Sequence, residues 1–127
     1  MPATLLLVDD DMALVQLMAK ALEGEGYLVL KGFDGQMAVQ LAQTQKPELI
    51  VMDVDMPMTH GLKALDFLRK SPATAKIPVI FLTGAQSERV SGALEQASRV
   101  AHLKKPLDLE ELSSLVRHFL DIYPVSA

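Results

Sequence analysis

The chain has no cysteine and no tryptophan. Without thiols there is no disulfide framework and no thiolate metal centre, a composition that suits a reducing, cytoplasmic setting. Aromatic residues are scarce, with two Tyr and four Phe in 127 residues. That is thin material for the ring-stacking walls of a flavin carrier. Positive charge is also short: 12 Lys and Arg stand against 16 Asp and Glu, for a net charge of −4. The only adjacent basic pairs are Arg69-Lys70 and Lys104-Lys105. Nucleic-acid backbones demand clustered Lys and Arg, so direct nucleic-acid binding by this chain is not expected. Long apolar runs are missing too. Leu5 to Val8 meets Asp9 far too soon to span a membrane, and Met1-Pro2-Ala3-Thr4 lacks the basic segment of a signal peptide.

What is present is material for one domain, half of it hydrophobic. Five short apolar runs alternate with five amphipathic stretches. The runs are Thr4–Val8, Tyr27–Leu30, Glu48–Met52, Pro78–Leu82 and a weaker Val100–Leu103. The first, third and fourth are almost unbroken, as in strands of a parallel sheet covered on both faces. Between them, Leu14, Leu17, Met18, Ala21 and Leu22 keep helical spacing. Met37, Ala38, Leu41 and Ala42 make a second stripe; Leu62, Leu65 and Leu68 a third; Val90, Leu94 and Ala97, with Gly92 inside, a poorer fourth. Leu109, Leu112, Leu115, Val116, Phe119 and Leu120 form the last, with Asp108 as its N-cap. Such alternation predicts an open α/β sheet with helices on both faces.

Polar residues fall at the ends of these strands. Asp9 and Asp10 follow the first, Asp53 ends the third, Thr83 the fourth, and Lys105 follows the fifth. In a parallel sheet all these ends lie on one edge, where open α/β folds bind ligands. Three carboxylates in one pocket repel one another unless some are protonated or a cation sits among them. Oxygen ligands with room for water suit Mg2+. A carboxylate can also act as nucleophile toward phosphorus, with Lys105 and Thr83 supplying charge and a hydroxyl donor. Asp11 reads more simply as a helix cap, and His60 and His118 as surface residues.

Four motifs together resemble the receiver domains of bacterial two-component response regulators. They are Leu7-Val8-Asp9-Asp10-Asp11, Val51-Met52-Asp53-Val54-Asp55-Met56-Pro57, Phe81-Leu82-Thr83-Gly84 and Lys105-Pro106, with Gly61-Leu62 after the Met-Pro turn. The likeness runs from Thr4 to about Ile122, implying a receiver domain over residues 3–122 and a C-terminal tail at 123–127. It implies a doubly wound, flavodoxin-like three-layer sandwich with strand order 2-1-3-4-5 and a cis Lys105-Pro106 bond. It further implies that Asp53 accepts a phosphoryl group from a sensor histidine kinase or a histidine phosphotransfer protein. Asp10, Asp53 and the Asp55 backbone carbonyl would ligate Mg2+, assisted by Asp9. Thr83 and Lys105 would hold the phosphoryl oxygens, and the output would be a downstream protein target or an attached output domain. Such a protein catalyses only its own phosphorylation and dephosphorylation.

Two departures bear on output. His102 stands where the family usually has Tyr or Phe, and Ser98-Arg99-Val100-Ala101 replaces the usual Gly-Ala-Asp-Asp. His102 is either the ring that moves inward as the Thr83 hydroxyl swings, or a half-exposed strand histidine without coupling. On the first reading the coupled face includes Arg89, Lys104 and Arg117. The competing function is a phosphatase of the haloacid-dehalogenase type, for which Asp53-Val54-Asp55 would be the Asp-x-Asp pair. Those enzymes place the nucleophile after the first strand and normally add a cap domain, so the third-strand position and short chain speak against it.

Overall fold

The computed structural model describes residues 2–56, 60–84 and 97–124. The described elements are β1 (Thr4–Val8), α1 (Met12–Glu23), β2 (Leu28–Gly32), α2 (Gly35–Gln45), β3 (Leu49–Asp53), α3 (Gly61–Lys70), β4 (Val79–Thr83), β5 (Val100–Lys104) and α4 (Leu109–Ile122). All strand pairs are parallel, in the order β2-β1-β3-β4-β5. The expected topology is therefore present. The fourth amphipathic stretch, with Val90, Gly92 and Leu94, lies outside the described residues, as do Arg89 and Pro57.

Alternation along the strands builds two apolar layers. Leu6, Val8, Ile50, Met52, Val79 and Phe81 face α2 and α3, meeting Ala38, Ala42, Ala64, Leu65 and Leu68. Leu5, Leu7, Leu49, Val51, Ile80, Leu82 and Leu103 face α1 and α4, meeting Val15, Met18, Leu22, Leu112, Val116 and Phe119. β1, β3 and β4 are therefore covered on both sides, which is why their sequences read as unbroken apolar runs. β2 and β5 are edge strands, and their patterns are correspondingly weaker.

Helix starts follow their caps. Asp11 accepts from the Leu14 N–H, Asp34 from Met37, and Asp108 from Glu110 and Glu111. The helix-cap reading of Asp11 thus holds. At α3 the cap is His60, whose Nδ1 accepts from the Leu62 N–H at 3.2 Å. Gly61 beside it is sterically required. A Cβ there would stand 2.8 Å from the Val54 Cα and 2.8 Å from Phe81 Cε1. The Lys105-Pro106 bond is cis, as expected.

Candidate functional site

The C-terminal edge of the sheet gathers the residues that sequence order had scattered. Asp9 leaves β1 with its N–H held by the Gly32 carbonyl of β2, and its side chain is fully buried. Asp53 ends β3 and is 5 % exposed. Carboxylate oxygens of Asp9, Asp10 and Asp53 all lie within 4.8 Å of one another. Lys105 follows β5, its backbone N–H bonded to the Thr83 carbonyl at 2.8 Å. Its Nζ reaches 2.9 Å from Asp9 Oδ2 and 3.5 Å from Asp53 Oδ2. Asp9 Oδ2 nevertheless lacks an aligned hydrogen bond, so the lysine contact is an ion pair and an acceptor site on that oxygen stays open. The remaining oxygens are tied to backbone: Asp9 Oδ1 accepts from the Asp11 N–H at 2.9 Å, and Asp53 Oδ1 from the Asp55 N–H at 3.3 Å.

Electrostatics follow from this crowding. Burial pushes the Asp53 carboxyl up to about 6; the Asp9 charge adds to the rise, and Lys105 opposes it. Burial also raises Asp9, against the pull of the Asp11 N–H and Lys105. Burial alone would lower the Lys105 ammonium, but its two carboxylates outweigh that and raise it. One lysine thus shares two buried acids, with exposed Asp10 beside them. The buried, unaligned Asp9 oxygen and the convergent all-oxygen set fit a hard divalent cation.

Thr83 is 3 % exposed, and its hydroxyl donates to the Leu103 carbonyl at 3.4 Å, a long bond. His102 is half-buried and pairs with Phe81 across the β4–β5 ladder. Since Ala101 and Leu103 face α1 and α4, His102 projects to the other face, which it shares with Phe81 and Thr83. Sequence reasoning did not find the second role of His60. Half-exposed as a surface residue should be, it also caps α3 and places Nε2 3.5 Å from Asp55 Oδ1. Histidine is an uncommon cap, and no spacing rule marked it. Clefts of about 440 to 630 Å³ lie elsewhere on the described surface, so charge rather than cavity marks this cluster.

Known proteins agree with this geometry. The sequence profile of the response regulator receiver domain matches residues 5–117. Response regulator MprA of Mycolicibacterium vanbaalenii is 36% identical over 120 residues, covering 94% of this chain and 51% of that protein. RpaA of Synechocystis sp., described as a DNA-binding dual master transcriptional regulator, is 36% identical over 118 residues, covering 91% of this chain and 48% of its own. The chain therefore spans about half the length of these curated relatives. Among solved structures, the chemotaxis response regulator CheY4 of Vibrio cholerae superposes with a TM-score of 0.86 at 27% identity, covering 94% of this chain and all of that one. The receiver domain of a signal transduction histidine kinase from Syntrophus aciditrophicus gives 0.86 at 28% identity, covering 98% and 95%. These relatives lend the phosphatase reading no support. The chain belongs to the response regulator receiver domains, the signal-receiving modules of two-component phosphorelays.

Proposed function

We propose that Asp53 is the phospho-acceptor of this receiver, with Asp10, Asp53 itself and the Asp55 carbonyl holding Mg2+, assisted by Asp9, and Thr83 and Lys105 holding the phosphoryl oxygens. The observation that carries this reading is Lys105 Nζ bridging Asp9 and Asp53 at the edge where β1, β3 and β5 end. Phosphoryl transfer is chiefly positioning and charge compensation, and these residues supply both. An Asp53 oxygen attacks phosphorus as the bond from phosphorus to the donor breaks. With a phosphohistidine donor, the imidazole nitrogen keeps the electron pair and takes up a proton. Lys105 passes from pairing with Asp53 to pairing with the new phosphoryl oxygens. A bound Mg2+ supplies the positive charge that keeps Asp53 ionised and offsets the transferring group's charge. Thr83 gives up its long bond to Leu103 and donates to the phosphoryl group, leaving space on the face it shares with His102.

The donor is a sensor histidine kinase or a histidine phosphotransfer protein. The output is a downstream protein target or an output domain attached beyond residue 127. The receiver occupies residues 3–122 with a tail at 123–127, works in the cytoplasm, and turns over only its own phosphoryl group. Among the described residues, no helix is long and apolar enough to cross a membrane. The test is exposure to acetyl phosphate, read by intact-mass spectrometry. With Mg2+ a fraction of the chain gains one phosphoryl mass; chelation abolishes the gain. A gain that is equal without the cation contradicts the proposal.

A further inference from the structure

The opposite edge of the sheet, where β3, β4 and β5 begin, carries a cleft of about 450 Å³. That volume is ordinary for a small-molecule site. Lys46, Glu48, Lys76, Ile77, Arg99 and Tyr123 line it. Three of these are cations, and the single acid, Glu48, is already engaged by the Thr4 backbone N–H. Arg69, not itself a lining residue, donates to the carbonyl of Ile77 at 2.7 Å and to that of Ser98 at 3.3 Å. Burial, then the nearby Arg99 charge, lowers the Arg69 guanidinium from its ordinary value. Among the described residues, no carboxylate pairs with Lys46, Arg69, Lys76 or Arg99.

Backbone conformation singles out two of these cations. Lys46 has φ 47° and Arg99 φ 59°, and among the described residues they are the only non-glycines with positive φ. Glycine takes this conformation freely, as Gly26 does at φ 99°. Lys46 takes it as the left-handed C-cap of α2, its N–H bonded to the Ala42 carbonyl, whereas Arg99 belongs to no helix; both place a cation on the one cleft. Arg99 is further oriented by stacking 4.6 Å above the Tyr123 ring, which packs edge-on against Phe119. Complementing helix carbonyl ends accounts for Arg69 and Lys70 in the last turn of α3 and for Lys46 at the C-cap of α2. It does not account for Lys76 and Arg99, which belong to no helix.

We propose that this cleft binds a small phosphorylated anion through Arg99, Lys46 and Lys76. A planar guanidinium with two ammonium groups matches a phosphate dianion, and the volume has room for a sugar phosphate. A net charge of −4 disfavours a long polyanion such as a nucleic acid. The five residues of β3 separate the cleft from Asp53 by roughly 16 Å at about 3.3 Å per residue, so the two sites can be read apart.

The test is a titration of 15N-labelled protein, freed of divalent cations on chelating resin, with pyrophosphate and with ribose 5-phosphate. Saturable amide shifts are expected at Lys46, Ile77, Arg99 and Tyr123 with at least one probe, while those of Asp9 and Asp53 stay in place. Arg99→Gly should weaken binding at least tenfold with Tm changed by no more than a few degrees, because the ease with which glycine adopts φ 59° offsets the lost stacking on Tyr123. Lys76→Gln should weaken it at least threefold. Shifts that fail to saturate, shifts spread over exposed lysines in general, or an unchanged affinity in Arg99→Gly overturn the proposal.

Discussion

Asp53 is held in an environment that resists its own charge, and this has a measurable sign. Its folded value is about 6 against an ordinary 3.8, because of burial and Asp9. A raised carboxylate gives the folded state its advantage in the protonated form. That advantage is complete below pH 4 and is lost as pH rises through about 6. The cation-free protein should therefore lose stability between about pH 4 and pH 6.5, by about 1–3 kcal/mol from this group. Asp53→Asn should flatten that portion of the profile and be the more stable protein at pH 7.5 without cation. Urea denaturation at several pH values checks this; a wild-type profile that rises over the interval contradicts it. The residue-scale site was largely legible in the sequence because it uses strand ends. Asp9, Asp10, Asp53, Thr83 and Lys105 each close a run that hydrophobic pattern alone delimits. His60 and Arg99 were not legible, since capping by His60 and the positive φ of Arg99 depend on local geometry that residue type does not announce.

At the scale of elements, the start of α3 is tied to the residue that follows Asp53 at the end of β3. The Gly61 N–H bonds the Val54 carbonyl at 2.9 Å, and a Cβ at Gly61 would press on Val54 and Phe81. Val54 is backbone here and Phe81 lies deep in the core, so neither can give way cheaply. Gly61→Ala should cost about 1–3 kcal/mol and slow phosphorylation by displacing the end of β3. Thermal denaturation and acetyl-phosphate kinetics on the same sample check both effects; an unchanged Tm with unchanged kinetics contradicts the assignment. Sequence supplied Gly61 only as a motif position. The reason for it comes from Phe81, twenty residues away, which pattern reading along the chain does not bring together. The strands were plainer: burial on both faces writes itself as an apolar run in β1, β3 and β4, while β5, an edge strand in which only Leu103 is buried, reads weakly.

For the whole molecule, strand order decides function. Inserting β1 between β2 and β3 brings Asp9 beside Asp53, and β4 and β5 then bring Thr83 and Lys105 to the same edge. Alternating apolar and amphipathic segments made an open α/β sheet readable, but the order of its strands came only from the likeness to receiver domains. Nothing along the chain revealed that the opposite edge collects several cations with no carboxylate partner among the described residues. A cation at the acidic edge should stabilise the fold by mass action. Saturating MgCl2 should raise Tm by a few degrees, and Asp10→Ala should remove most of that rise. An equal rise in the variant places the cation elsewhere.

The central claim is that phosphorus is carried on the Asp53 side chain. An acyl phosphate is reduced by borohydride to the alcohol, which converts an aspartyl phosphate into homoserine at the position that held it. Phosphorylated protein, reduced, digested and sequenced by tandem mass spectrometry, should show homoserine at position 53 and nowhere else, with none formed in Asp53→Asn. Homoserine at position 9, 10 or 55, or its persistence in the variant, would contradict the account.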